Sequence, residues 1–521
     1  MSPTLHKVAR ADEVSAERGT RVCIKNDNAR ETPILLVRDG EIVHAYSADC
    51  PHAGAPLEEG AICNGRIVCP WHKGTFELSD GSLVEPPPLK GLTRYPVTLK
   101  DGDVFVSLQA DEAGRSKPTS GKSDKTILIA GAGAAGAAAC AALREAGFPG
   151  RIVLAGHDAA MPYDRTSLSK FVVSGDMPAD EVPPLLDDDF FEKHAIERVE
   201  SSVMHLDAKS KHVELVSGFK YDYDAALICT GGVPKPLAIP GANLAHVHLL
   251  RHLDDASAIL STLKELPEHA RAVIVGASFI GLEVASCLRK RNVDVTVVAP
   301  GKVPFAKQFG VRIGEMFRKL HEKNGVTFRM NAHVSAFRGG NAVREVMLDS
   351  GERLAADMVV AGTGVEPATA FLAGVALDEN GGLAVDSSMR AAPDLFAAGD
   401  IARFRLPQTN ESVRIEHWRV AQQHARVAAY NMAGIEREYA GVPYFWTFHY
   451  DKTFEYLGHA EDPDRVEIDG DLDAQHFIAY LLKDDQVRAI VACEHDHAMG
   501  KLAEAMREKL TLDEARRIAS E

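Results

Sequence analysis

Between residues 5 and 108 the chain alternates short apolar runs with polar turns. Val22–Ile24, Pro33–Val37, Glu41–Tyr46, Ile67–Val68 and Val104–Leu108 are separated by Asp-Gly, Glu-Gly and Asn-Gly pairs. Runs of this length, broken by turn residues, predict a small all-β unit. From Gln109 to Asp124 the periodicity is lost, and a polar, Gly/Ser-containing stretch predicts a flexible linker. At Lys125 the pattern changes. KTILIA enters GAGAAG and then an Ala-rich segment reaching about Glu145. A second copy opens at Arg271 as RAVIV, GASFIG and LEVASCLRK. Strand, glycine turn and helix, written twice, predict two related nucleotide-binding α/β domains. Beyond Val442, strands at Phe477–Leu482 and Arg488–Cys493 precede helical segments around Lys501–Ser520.

A chain of 521 residues accommodates roughly three or four domains. Hydrophobic residues at 45% and charged residues at 25% provide for large cores and exclude global disorder. The net charge is −16. Nucleic acid and anionic membranes need a basic face, so neither is expected as a partner. No apolar run reaches the roughly 18–20 residues of a membrane span. Met1–Arg21 lacks the apolar core of a secretion signal, so a cytoplasmic location is the expectation. Eight cysteines in so long a chain do not form a disulfide scaffold; close spacing points to metal or redox chemistry.

Cys50-Pro51-His52 is followed, sixteen residues later, by Cys69-Pro70-Trp71-His72. Two thiolates and two imidazoles could hold one zinc, or a [2Fe–2S] cluster with thiolates on one iron and imidazoles on the other. Zinc sites usually pair like ligands in one loop. Here each loop supplies one Cys and one His, which suits clamping the two ends of a cluster. This resembles the Rieske domain. The respiratory type carries an extra disulfide-forming cysteine in each loop, whereas Gly54, Ala55 and Trp71 stand there and Cys63 is distant. The site is therefore similar to the ferredoxin and oxygenase type, with a potential expected toward roughly −150 mV.

Gly131-Ala132-Gly133-Ala134-Ala135-Gly136 follows a strand and opens a helix. Gly131 makes the turn, Gly133 lets backbone approach a pyrophosphate, and Gly136 lets helix and strand pack. Asp158, 22 residues after Gly136, fits the acid that binds ribose hydroxyls. Gly276-Ala277-Ser278-Phe279-Ile280-Gly281-Leu282-Glu283 is the second fingerprint, with Ser278 at the middle glycine position. The strand VDVTVVA ends at Ala299, where an acid would favour NADH, so NADPH or dual use is open. Cys493, His495 and His497 read as a polar turn, and His246, His248 and His252 as structural.

Together these motifs resemble flavoproteins like apoptosis-inducing factor that carry an N-terminal Rieske domain. The reductase part is also similar to ferredoxin reductases of bacterial Rieske oxygenases. The resemblance implies an all-β Rieske domain (1–108), linker (109–124), FAD-binding domain (125–245 and 366–441), NAD(P)H-binding domain (246–365) and small α+β C-terminal domain (442–521). In PYDRTSLSK it implies Arg165 near the FAD phosphates, with Ser169 and Lys170 beside the flavin. It also implies Thr230 and Gly231 at the domain crossover, Asp400 on the ribityl chain, and Glu416, His417 and Trp418 opening a helix toward the flavin. Val203 and Gly364 join the cofactor-binding set. Phe279 would stand where nicotinamide stacks, Glu283 would pair with Lys170, and Trp446 would pack near the flavin. Thr447-Phe448-His449 departs from the commoner Ser-Asp-Gln.

The implied activity is NAD(P)H-dependent electron transfer. Hydride passes to FAD, and single electrons then pass through the cluster of Cys50, His52, Cys69 and His72 to an acceptor such as an oxygenase. The linker would let the Rieske domain dock near Trp446 and swing to its partner. The alternative is an oxidase or redox sensor that associates on reduction. Monomer and homodimer are both compatible with the sequence.

Overall fold

A computed structural model describes residues 4–25, 31–111 and 123–521. Most of the linker sequence therefore lies outside the described residues. The N-terminal domain is built from three small sheets, two of four strands and one of three. Ile34, Leu36, Val43, Ala45, Val104 and Val106 fill one core between them. The other four-stranded sheet, Ala61–Cys63, Arg66–Val68, Thr75–Glu77 and Leu83–Glu85, holds the second Cys/His loop between two of its strands.

Two parallel sheets form the centre of the molecule. The first runs Ile196–Glu200, Arg151–Gly156, Thr126–Ala130, Ala225–Ile228 and Leu395–Ala397, with Arg390–Ala392 antiparallel at its edge. The second runs Val247–His248, Met358–Ala361, Arg271–Val275, Asp294–Ala299 and Thr327–Met330. The helices Ala134–Glu145 and Phe279–Lys290 follow the two glycine turns. Parallel strands buried on both faces account for the unbroken apolar runs TILIA and RAVIV. The chain leaves the first sheet after Ile228, builds the second, and returns at Leu395.

The C-terminal domain is an antiparallel sheet of five strands backed by helices Asp496–Ala505 and Leu512–Ser520. The sequence reading found two of these strands. It missed Tyr444–His449, Lys452–Gly458 and Arg465–Asp471, whose histidines, glutamates and aspartates mask the alternation.

The N-terminal domain is seated on the helix Trp418–Met432 and on the C-terminal sheet. Arg419 Nε donates to the Pro86 carbonyl at 2.7 Å and its Nη2 to that of Lys73 at 2.9 Å. Gln423 donates to Glu85 at 2.7 Å, and Arg507 to the same carboxylate at 2.8 Å. Lys73, with no exposed surface, lies 2.5 Å from Glu455, which is equally hidden. Arg66 meets Glu504, also at 2.5 Å. Removing one member of a buried pair strands the other charge, at about 3–5 kcal/mol. Glu455→Leu is therefore expected to cost about that much stability, read as a lowered urea midpoint. Adding Lys73→Met should restore part of the loss.

Candidate functional site

The two Cys/His loops bring their ligands together in like pairs. His52 Nδ1 and His72 Nδ1 face each other at 3.1 Å. The Cys50 and Cys69 thiols face each other within hydrogen-bonding reach. Cys50 is pushed well up by that bond and by burial. Burial also pushes Cys69 up, but bonds from Cys50 and from the backbone N–H groups of His72 and Trp71 bring it below the ordinary thiol value. Burial holds both imidazoles below their ordinary pKa, leaving the neutral form that ligates metal.

Four ligands of a single ion would converge. Among the described residues, however, the one trio of such atoms within 4.8 Å of one another is His157, Asp158 and His252. A thiol pair set apart from an imidazole pair fits two irons better than one zinc. Cys63 is free and only partly buried.

Beside this site lies a cavity of about 1030 Å³. Gly131, Gly133, Ala134 and Ala135 form its floor, and Asp158, Arg165, Val203, Thr230, Gly231 and Asp400 line its walls. Lys170, Ser169, Glu283, Phe279, Ile280, Glu416, His417, Trp418 and Trp446 also face it. Three buried polar atoms on this lining, Arg251 Nε, His417 Nδ1 and Trp418 Nε1, have no hydrogen-bond partner. A Cβ on Gly133 would meet nothing within 4 Å. An open cradle at a helix start and unpaired donors around it fit a large dinucleotide such as FAD.

Gly136 lies behind this floor, where an added Cβ would sit 2.0 Å from the Gly131 carbonyl oxygen. Gly276, Ser278, Gly281 and Gly364 are not part of the cavity lining. Gly276, Ser278 and Gly281 form the turn of the second sheet, where the Ser278 hydroxyl caps the helix by accepting from Gly281 N–H at 3.2 Å.

Three carboxylates of the cavity, those of Glu283, Asp400 and Asp158, are paired with cations. Lys170 Nζ lies 3.0 Å from Glu283 Oε1. Asp400 accepts from Arg251 at 2.9 Å. Asp158 accepts from Arg165 at 2.8 Å, and hydrogen bonds from His252 and His157 help hold its carboxyl far below the usual range. Burial and the neighbouring Asp400 raise Glu416, while burial brings His417 down to about 3. His252 corrects the sequence reading: it is not a plain structural histidine but faces the cavity and bonds Asp158. Its signal was hidden because His252 and Asp158 are 94 residues apart. Cys493, His495 and His497 do not converge; His497 instead faces the Gly60 carbonyl of the N-terminal domain at 3.2 Å.

Trp446 joins the two sites. Its ring centroid is 4.1 Å from that of His72, and Lys170 Nζ is 5.8 Å from the indole centre.

Residues 125–425 match the pyridine nucleotide-disulphide oxidoreductase family, residues 4–96 the Rieske [2Fe-2S] domain and residues 444–520 the reductase C-terminal domain. The chain belongs to the pyridine nucleotide-disulphide oxidoreductases, in a form that also carries a Rieske domain. It is 38% identical to human (Homo sapiens) apoptosis-inducing factor 3 over 91% of this chain and 80% of that protein. It is 36% identical to the ferredoxin–NAD(+) reductase component of the biphenyl dioxygenase system of Paraburkholderia xenovorans (strain LB400), over 70% of this chain and 89% of that one. The crystal structure of a covalent putidaredoxin reductase–putidaredoxin complex superposes with a TM-score of 0.70 at 28% identity, covering 74% of this chain and 94% of the other. The cofactors that these domains bring are FAD, NAD(P)H and a [2Fe–2S] cluster.

Gly133→Ala and Gly136→Ala separate the cradle from its support. Gly133→Ala should lower the flavin content of purified protein while leaving the melting temperature of the flavin-stripped protein unchanged. Gly136→Ala should lower flavin content and also cost about 1–3 kcal/mol, because its methyl meets backbone that must move.

Proposed function

We propose that this chain is an NAD(P)H-dependent, ferredoxin-reductase-type electron transferase whose Rieske cluster is its built-in acceptor. The contact between Trp446 and His72 carries this reading, because one indole touches a cluster ligand and also lines the dinucleotide cavity. FAD supplies the exchange between two-electron and one-electron chemistry. Cys50, Cys69, His52 and His72 would hold the cluster.

Gly131, Gly133 and the helix start behind them would bind the pyrophosphate, Asp158 a ribose and Asp400 the ribityl chain. The N-terminus of helix Trp418–Met432 would stabilise negative charge on the reduced flavin. Phe279, packed against Phe305 and Phe445, would yield its place at the cavity wall to the nicotinamide. Gly276, Ser278 and Gly281 would support the NAD(P)H pyrophosphate. The buried, ion-paired seam favours internal transfer in the docked arrangement. Electrons then pass to a protein acceptor such as an oxygenase, as the reductase names of the relatives suggest.

Anaerobic titration with NADH and NADPH, followed by absorbance and EPR, tests the reading. The flavin should bleach first, and a Rieske EPR signal should follow. Cys69→Ser should abolish that signal and leave flavin bleaching intact. A bleached flavin beside an oxidised native cluster would defeat the proposal.

A further inference from the structure

We propose that Glu283, Thr447, His449, His321 and Tyr450 form a relay carrying protons between the flavin end of the cavity and solvent, an inference that rests on the flavin reading above. The atoms are continuous. Thr447 Oγ1 lies 2.7 Å from Glu283 Oε1 and 2.9 Å from His449 Nε2. His449 Nδ1 lies 3.3 Å from His321 Nε2. Tyr450 OH lies 3.0 Å from His321 Nδ1. At the inner end Ser169 donates to Glu283, and Lys170 pairs with it. At the outer end Tyr450 is half-buried, in the turn between Tyr444–His449 and Lys452–Gly458, next to exposed Asp451.

Both imidazoles are fully buried. Phe317 and Phe454 pack against His449, with centroids 5.3 and 6.0 Å away, and Phe328 stands 6.2 Å from His321. Burial, then the charge of Lys170, holds His449 down to about 3 against a hydrogen bond to the Leu282 carbonyl, and burial with His449 holds His321 well below its ordinary value. The other titratable neighbours are Cys287 and Arg289, which act on Tyr450. Two neutral imidazoles offer two N–H donors and two acceptors, and the chain uses each once. With Glu283 ionised, every donor points inward: Tyr450 to His321, His321 to His449, His449 to Thr447 and Thr447 to Glu283. Outward transfer starts from the opposite tautomers, with Glu283 donating to Thr447, Thr447 to His449 Nε2, His449 Nδ1 to His321 Nε2 and His321 Nδ1 to Tyr450. One shift along the chain then releases a proton at Tyr450 and leaves the inward arrangement, and both rings exchange tautomer before the next proton.

The chemistry requires such an exit. A hydride carries two electrons and one proton. NAD(P)H and two oxidised clusters give NAD(P)⁺, two reduced clusters and one H⁺. The electrons leave through the Rieske domain, and that proton must leave separately.

The test uses flavin-loaded, cluster-containing full-length protein under anaerobic stopped flow, with phenol red in weak buffer reporting proton release after mixing with NADH and excess ferricyanide, a one-electron acceptor that takes up no proton and draws both electrons out. Thr447→Val and Tyr450→Phe should leave flavin bleaching at the native rate and slow proton release on the order of 100-fold. Thr447→Ser should restore it. Native-rate release in both Thr447→Val and Tyr450→Phe would overturn the relay. Native protein that never bleaches with NADH would instead sink the flavin reading, and the relay with it. A readout without turnover comes from ¹⁵N-histidine spectra of the resting protein: His321 and His449 should each be neutral, with Nε2 protonated. An imidazolium signal from either at neutral pH would also overturn the proposal.

Discussion

Lys73 and Glu455 meet where neither touches water, and their contact fixes one redox site against the other. Removing two charges from solvent is costly, and only close geometry with further hydrogen bonds offsets it. The geometry is close, and further hydrogen bonds reach Lys73 Nζ and Glu455 Oε1, while Glu455 Oε2 is buried without a partner. Lys73 also donates to the Pro70 carbonyl, and Tyr444 donates to Glu455 at 2.8 Å. Tyr444 OH also lies 2.8 Å from the Trp71 carbonyl oxygen, so its single proton serves one of the two acceptors at a time, and the contact joins the pair to the loop that carries Cys69 and His72. Even so, burial pushes Glu455 up to about 7. Such a contact contributes more to the choice of docked position than to stability.

The position has a chemical consequence. A shift of the N-terminal domain would separate His72 from Trp446, which touches that ring and also lines the dinucleotide cavity. The helix Trp418–Met432 serves both neighbours. Its N-terminal end faces the cavity, while Arg419, Gln422, Gln423 and Arg426 hold the N-terminal domain. Flavin site and docking surface are thus built on one rigid rod.

Much of this molecule is written locally. The glycine turns at Gly131 and Gly276 are readable because a strand-to-helix turn that cradles phosphate excludes side chains at fixed positions. The Cys/His loops are readable because metal ligation demands particular atoms at short spacing. The helices Ala134–Glu145 and Phe279–Lys290 follow directly from such turns. The strands Tyr444–His449 and Lys452–Gly458 were not readable, because buried Thr447, His449 and Glu455 look polar in the sequence.

The sequence by itself determined the two Cys/His loops, the two nucleotide folds and the succession of Rieske, oxidoreductase and reductase C-terminal domains, since each depends on neighbours along the chain. Tertiary structure decided the rest. Arg419, Gln422, Gln423 and Arg426 recur at helical spacing and would be taken for a solvent face, yet all four are buried under the N-terminal domain. His252 acquires its place on Asp158, and His321 its place on His449, across 94 and 128 residues. No local pattern encodes such partners. A polar side chain states what it can bond, and only the folded chain supplies the group that it meets.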